Sequence, residues 1–198
     1  MGNEKPSAGE LLFTADDLVV RRMRDDPEDY ATLARWLSDP RVLEYYEGRD
    51  RAMDVEAVIA KYGPRVLGEE EVEPCFVLRG ERPIGYVQLY LAPAEVLAHL
   101  LDPRDAWAID LFIGVPELWD QGIGTVLVTA VIVYLFEQRG AATVTIDPRL
   151  DNPRAVRVYE KAGFAKLVVL SGHELHEGEW RDCWLMTVDR GRWRQLGG

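Results

Sequence analysis

The stretch DNPRAVRVYEKAGF, residues 151–164, decides how the rest of the chain is read. It begins as an ordinary surface helix does. Asp151 or Asn152 supplies a capping side chain, Pro153 falls in the first turn, Ala155, Val158, Tyr159 and Ala162 form one apolar stripe, and Gly163 stops the helix. Those roles do not explain why Asn152, Arg154, Tyr159, Glu160, Lys161, Gly163 and Phe164 occur together, one strand-like segment after a glycine-opened helix.

Working outward, TVTID (143–147) reads as a strand ending in the carboxylate of Asp147. Before it, PELWDQGIGTVLVTAVIVYLFEQRG (116–140) is a loop with two glycines followed by a long helix that is apolar on most sides and stops at Gly140. A helix of that kind is buried, usually against a sheet. Gly122 and Gly124 at its mouth let backbone approach an anion, and the unpaired first-turn N–H groups with the helix dipole supply donors. There is no third glycine for a dinucleotide fingerprint and no Gly-Lys-Ser/Thr for a Walker-type loop. WAIDLFIGV (107–115) is an apolar strand with Asp110 in its middle, a carboxylate that is costly to bury without a partner.

Further out, LVVRRMRD (18–25) alternates as a strand does, and PEDYATLARWLSD (27–39) carries a helical stripe at Tyr30, Leu33, Ala34 and Leu37. RVLEYYEG (41–48) is a short aromatic segment, and MDVEAVIAKYGPRVLG (53–68) is a second amphipathic helix. CFVLRGERPIGYVQLY (75–90) reads as two strands joined by a turn at Gly80-Glu81-Arg82-Pro83, LAPAEVLAHLLDPRDA (91–106) as a connection with a short helix, and residues 165–190 as a hairpin. The order of strands and helices predicts an α/β (α+β) domain, a mixed sheet with helices on both faces. Residues 1–10 are expected to be a flexible arm and 11–198 a single domain.

Composition excludes several classes. The 198 residues are 47% hydrophobic, and no apolar run approaches a membrane span. The start MGNEKPSAGE has neither a secretory pattern nor the Ser or Thr that myristoylation needs, so cytoplasmic residence is the expectation. Cys75 and Cys183 lie in apolar strands and read as buried thiols. His173 and His176 flank Glu174 in HELHE without further ligands at suitable spacing, so no metal is expected. With 34 acidic against 23 basic residues the net charge is −11, which disfavours nucleic acid and serves either solubility alone or the attraction of a cationic substrate.

The combination N-x-R-A-x-x-x-Y-E-K-x-G-F (152–164), one strand after the Gln121-Gly122-Ile123-Gly124-Thr125 helix start, resembles the GCN5-related N-acetyltransferase superfamily. Within it the chain is similar to aminoglycoside 6'-N-acetyltransferases, through WLSDPRVLEYYEGRD, RPIGYVQLY, LFIGVPELWDQGIGT, IDPRLDNPRAVRVYEKAGF and HELHEGEWRDCWLM, in order along the chain. It departs from the pattern at Trp119 and Asp120, where Arg or Gln and then Gly are usual, and at Leu111, where Gln is common.

The resemblance implies a mostly antiparallel sheet with a splayed central strand pair. Acetyl would pass directly from acetyl-coenzyme A to a primary amine of an aminoglycoside, without a metal. It places the thioester along the 110–115 strand, polarised by backbone N–H groups near Phe112 and Ile113, the pyrophosphate on Gln121, Gly122, Ile123, Gly124 and Thr125, and pantetheine amides near Asn152. It makes Tyr159 the acid that protonates the departing thiolate, Asp110 a base or an anchor for the amine, and Asp147 and Glu174 substrate ligands, with Asp182 a further candidate. Arg154 and Lys161 are surface charges or phosphate partners. Other acceptors, such as a siderophore lysine or a protein N-terminus, stay open, as do a non-catalytic acyl-coenzyme A binding module and a monomer or dimer.

Overall fold

The computed structural model describes residues 9–197. Eight strands lie in the order β1-β2-β3-β4-β5-β6-β8-β7. They are β1 (Leu11–Ala15), β2 (Leu18–Arg22), β3 (Val72–Arg79), β4 (Arg82–Leu91), β5 (Ala106–Ile113), β6 (Thr143–Ile146), β7 (Ala165–His176) and β8 (Glu179–Asp189). The helices are α1 (Pro27–Trp36), α2 (Pro40–Leu43), α3 (Val55–Val66), α4 (Ala94–Leu97), α5 (Ile123–Gln138), α6 (Pro153–Lys161) and α7 (Arg190–Gln195). β1 with β2, β2 with β3, β6 with β8 and β7 with β8 are antiparallel, whereas β5 and β6 are parallel. A parallel neighbour requires a crossover, and the apolar helix α5 supplies it.

The chain forms two compact units, one from the residues up to Leu89 with Leu111–Trp119, the other from Tyr90–Asp110 and Asp120 onward. In the first, α1 is started by Asp26, whose side chain accepts from the Asp29 N–H, and its Tyr30, Leu33 and Ala34 are buried as the stripe requires, with Leu37 just beyond it. An aromatic cluster fills the core: the Phe112 ring lies 6.0 Å from Trp36, 4.7 Å from Tyr46 and 5.6 Å from Tyr86. Gly114 is there because a Cβ would stand 2.3 Å from the Trp36 ring. In the second unit the long β7–β8 hairpin pairs through β8 with β6, and Ala92, Val96, Ala106, Ala108, Leu170 and Leu185 form a core cluster.

Three local expectations change. The arm expected over residues 1–10 lies outside the described residues except for Gly9 and Glu10, and the Glu10 carbonyl already accepts the Arg22 N–H at 2.8 Å. Strand β1, invisible to the alternation pattern, forms because Asp16 takes φ 50° and closes a hairpin without glycine. The β3–β4 turn is shorter than expected: Gly80 at φ +61° and Glu81 make it alone, and Arg82 and Pro83 belong to β4. Cys75 and Cys183 are buried thiols, the pKa of the latter pushed up to about 12 by burial and by Glu174. Among the described residues no helix is long and apolar enough to cross a membrane, and no group of three or more His, Cys, Asp or Glu is placed to hold a metal.

Candidate active site

The site in the second unit begins where the parallel pair stops. Ala106 faces Thr143, Trp107 faces Val144 and Ala108 faces Thr145, and the ladder goes no further although β5 does. Asp110 and Asp147 are the next matching positions on the two strands, two residues past the last pair. Their side chains therefore stand at the mouth of an unzipped pair. Both are half-buried. The Tyr90 hydroxyl donates to Asp110 Oδ2 at 3.0 Å, and His173 Nε2 hydrogen-bonds Asp147 Oδ2 at 2.8 Å.

Helix α6 brings Tyr159 to the same two carboxylates. Asn152 Oδ1 accepts the Ala155 N–H at 3.1 Å, so Asn152, not Asp151, is the cap, and Pro153 follows in the first turn. One face of the helix then buries Val156, Tyr159 and Ala162. The Tyr159 ring packs 6.0 Å from Phe164 and is 7% exposed, and no protein group among the described residues hydrogen-bonds its hydroxyl. Burial first, then the charges of Asp110 and Asp147, hold its pKa well above that of an ordinary tyrosine. The hydroxyl keeps its proton and is open to a ligand.

The start of α5 has an anion-binding build. Gly122, the residue before the helix, sits at φ +82° and offers no capping side chain. Its carbonyl accepts the N–H groups of Thr125 and Val126, which leaves the amides of Ile123 and Gly124 without a helical partner. Gln121 and Gly122 are exposed beside them. Asp120 takes φ 60°, the left-handed conformation that glycine favours and aspartate tolerates, at a position where the resembled family has glycine.

In the first unit, the end of β5 corrects one expectation. Gly114 N–H donates to the Ile84 carbonyl at 2.9 Å, and Ala92 N–H, at the other end of β4, donates to Ala106 at 2.9 Å. Even-numbered residues of β5 therefore turn their backbone groups toward β4. Phe112 is even-numbered: its carbonyl lies where a Cβ on Gly85 would meet it at 2.7 Å, and its amide is not available to a substrate. The outward amides are those of Leu111 and Ile113. In agreement, the Ile113 carbonyl accepts the Trp119 indole N–H at 2.8 Å, on the side away from β4.

Glu174 is less open than its sequence position suggests. It meets His176 Nδ1 at 3.1 Å, Arg149 at 3.7 Å and Cys183 Sγ at 3.9 Å. Asp182 Oδ1 accepts the Gly172 N–H. Two functional partners escape a sequence reading, Tyr90 and His173. Tyr90 is twenty residues from Asp110 in the chain, so only strand pairing brings it there. His173 is visible in HELHE, but only as a failed metal motif.

A mixed sheet whose parallel pair unzips beside the start of an apolar crossover helix is the architecture of an acyltransferase. The chain belongs to the GNAT acetyltransferase family: the family model described as an acetyltransferase (GNAT) domain matches residues 25–170. Members use acetyl-coenzyme A as the acetyl donor. The chain is 30% identical over 166 residues to the aminoglycoside N(6')-acetyltransferase type 1 of Klebsiella pneumoniae, covering 79% of this chain and 78% of that one. It is 26% identical over 172 residues to the N(6)-hydroxylysine O-acetyltransferase of Escherichia coli, covering 79% of this chain and half of that protein. The structure of AAC(6')-Ib in complex with ribostamycin and coenzyme A superposes with a TM-score of 0.77 at 27% identity, over 92% of this chain and 99% of that one.

Proposed function

We propose that the protein transfers acetyl from acetyl-coenzyme A to the 6'-amine of an aminoglycoside antibiotic. The observation that carries this reading is the pair Asp110 and Asp147 at matching positions of the opened β5 and β6 strands, both acting on Tyr159. Paired carboxylates at an acceptor mouth suit a substrate with several ammonium groups better than a peptide, which brings few. The relatives that act on aminoglycosides support the same choice.

An ammonium cannot attack a thioester, so the amine first gives up a proton, to Asp110 or through water beside it. The amine nitrogen then bonds to the acetyl carbonyl carbon, and negative charge develops on the carbonyl oxygen. As the C–S bond breaks, the electron pair stays on sulfur. Tyr159 donates to that thiolate, its hydroxyl held neutral by burial and by Asp110 and Asp147. The proton released by the amine goes to solvent, so the products are an amide and the free thiol or thiolate of coenzyme A.

The test is thiol release from acetyl-coenzyme A with kanamycin, a lysine peptide and N6-hydroxylysine as separate acceptors. Turnover with kanamycin above the others, reduced about a hundredfold in Asp110→Asn, is the expected outcome. Preference for hydroxylysine would move the chain to the hydroxamate-forming relatives. Tight binding of acetyl-coenzyme A with no turnover would make it a binding module.

A further inference from the structure

The contact between His173 and Asp147 has no part in acetyl transfer as derived above. It engages one of the two carboxylates to which that reading assigns the acceptor. We propose that His173 competes with the acceptor for Asp147. Neutral, it donates its Nε2–H to the carboxylate and leaves the negative charge to attract an ammonium; protonated, it cancels that charge and the site discriminates against polycations. His173 is then a specificity-determining residue of the acceptor end, and this inference rests on the placement of the acceptor at Asp147.

The geometry favours a competitor over a passive neighbour. His173 Nε2 is 2.8 Å from Asp147 Oδ2, with the two side chains 25% and 31% exposed, so both remain within reach of a solute. The contact joins β7 to the end of β6, the strand whose unzipping makes the mouth. The charged groups acting on the ring come from every side and are all acidic. They are Asp147 after β6, Glu95 in the first turn of α4, and Glu174 on β7 itself. On β8, Asp182 accepts the Gly172 N–H, one residue from the ring. Two cations lie nearby: Arg149 is drawn to Asp151 at 2.9 Å and to Glu174, and Arg181, opposite Glu174 across the hairpin, to Glu179 at 2.8 Å. The hydrogen bond to Asp147 is the largest influence on His173 and raises its pKa, burial opposes it, and the surrounding carboxylates raise it further.

The sign follows. With a raised pKa the imidazolium pair with Asp147 is fully formed below the ordinary histidine value of about 6.5, and it is lost as pH rises through the higher value of the folded protein. Polycation affinity therefore rises over that window, and a bound ammonium drives the proton off His173.

Calorimetric binding of spermine and of kanamycin to the full chain tests this at about pH 5.5 and about pH 8, with wild type and His173→Gln, which keeps a donor to Asp147 but never charges. Wild type should bind spermine about five- to tenfold more weakly at the lower pH, and the variant should lose most of that difference. An equal ratio in both proteins overturns the proposal, and so does failure of either polycation to bind at the higher pH. Binding that follows the expected pattern without acetylation of kanamycin overturns the aminoglycoside assignment alone, because spermine reports the charge and not the reaction. In the ligand-free protein, the ring NMR titration midpoint of His173 should fall in Asp147→Asn; an unchanged midpoint overturns the pairing on which the proposal stands.

Discussion

Tyr159 shows how one residue serves two demands. It closes the apolar face of α6, and its hydroxyl, which has no hydrogen-bond partner among the described residues, feels the charge of two carboxylates. Tyr159→Phe removes the hydroxyl and keeps the packing, so the melting temperature should hold while kcat falls about ten- to a hundredfold, less than for a full general acid because the thiolate leaves readily. A matching loss in stability would make the tyrosine structural. The raised pKa carries a second consequence. Ionisation of an ordinary tyrosine would end its hydrogen-bond donation near pH 10, but here burial and the two carboxylates disfavour the anion, so the neutral form persists at higher pH. The pH profile of kcat should therefore show no tyrosine-dependent decline up to about pH 10, and a decline absent in Tyr159→Phe would contradict the shift.

At the scale of elements, Asn152 separates structure from binding. Its Oδ1 caps α6, and loss of such a cap costs about 1 kcal/mol, some 2–4 °C of melting temperature for a chain of this size. Asn152→Ala should show that loss, whereas Asn152→Asp keeps the acceptor and removes the amide N–H. A higher KM for acetyl-coenzyme A in the aspartate variant at unchanged stability assigns the amide to the cofactor; an unchanged KM leaves a cap alone. In the first unit, Gly114→Ala drives a methyl into Trp36 and should cost about 1–3 kcal/mol in thermal unfolding. Neither glycine's packing nor β1 is legible in the sequence, because both depend on partners distant along the chain. Helices α1 and α3 are legible from their apolar stripes, α5 from its apolar length and α6 from its cap and glycine stop, although α6 buries Val156 where the stripe predicted Ala155 and Val158. The carboxylates of the site are legible as misfits in apolar strands. Their partners Tyr90 and His173 are not, since strand register alone selects them. Phe112 fails for the same reason: composition names the strand, but the parity of its amides depends on β4.

For the molecule as a whole, a net charge of −11 acts on two substrates of opposite sign. On the proposed function a polycationic acceptor is drawn in, whereas acetyl-coenzyme A, an anion, is repelled by the same field and depends on local donors such as those proposed at the start of α5. Salt screens both effects, since the Debye length shortens from about 30 Å at 0.01 M to about 8 Å at physiological ionic strength. KM for kanamycin should therefore rise as potassium chloride is added, while KM for acetyl-coenzyme A should change less or fall. Initial rates with each substrate varied against a saturating partner would separate the two trends. Parallel rises in both values would mean that local phosphate contacts outweigh the overall charge on the donor side. A kanamycin KM indifferent to salt would remove electrostatic attraction from the account of acceptor choice and leave shape and hydrogen bonding to explain it.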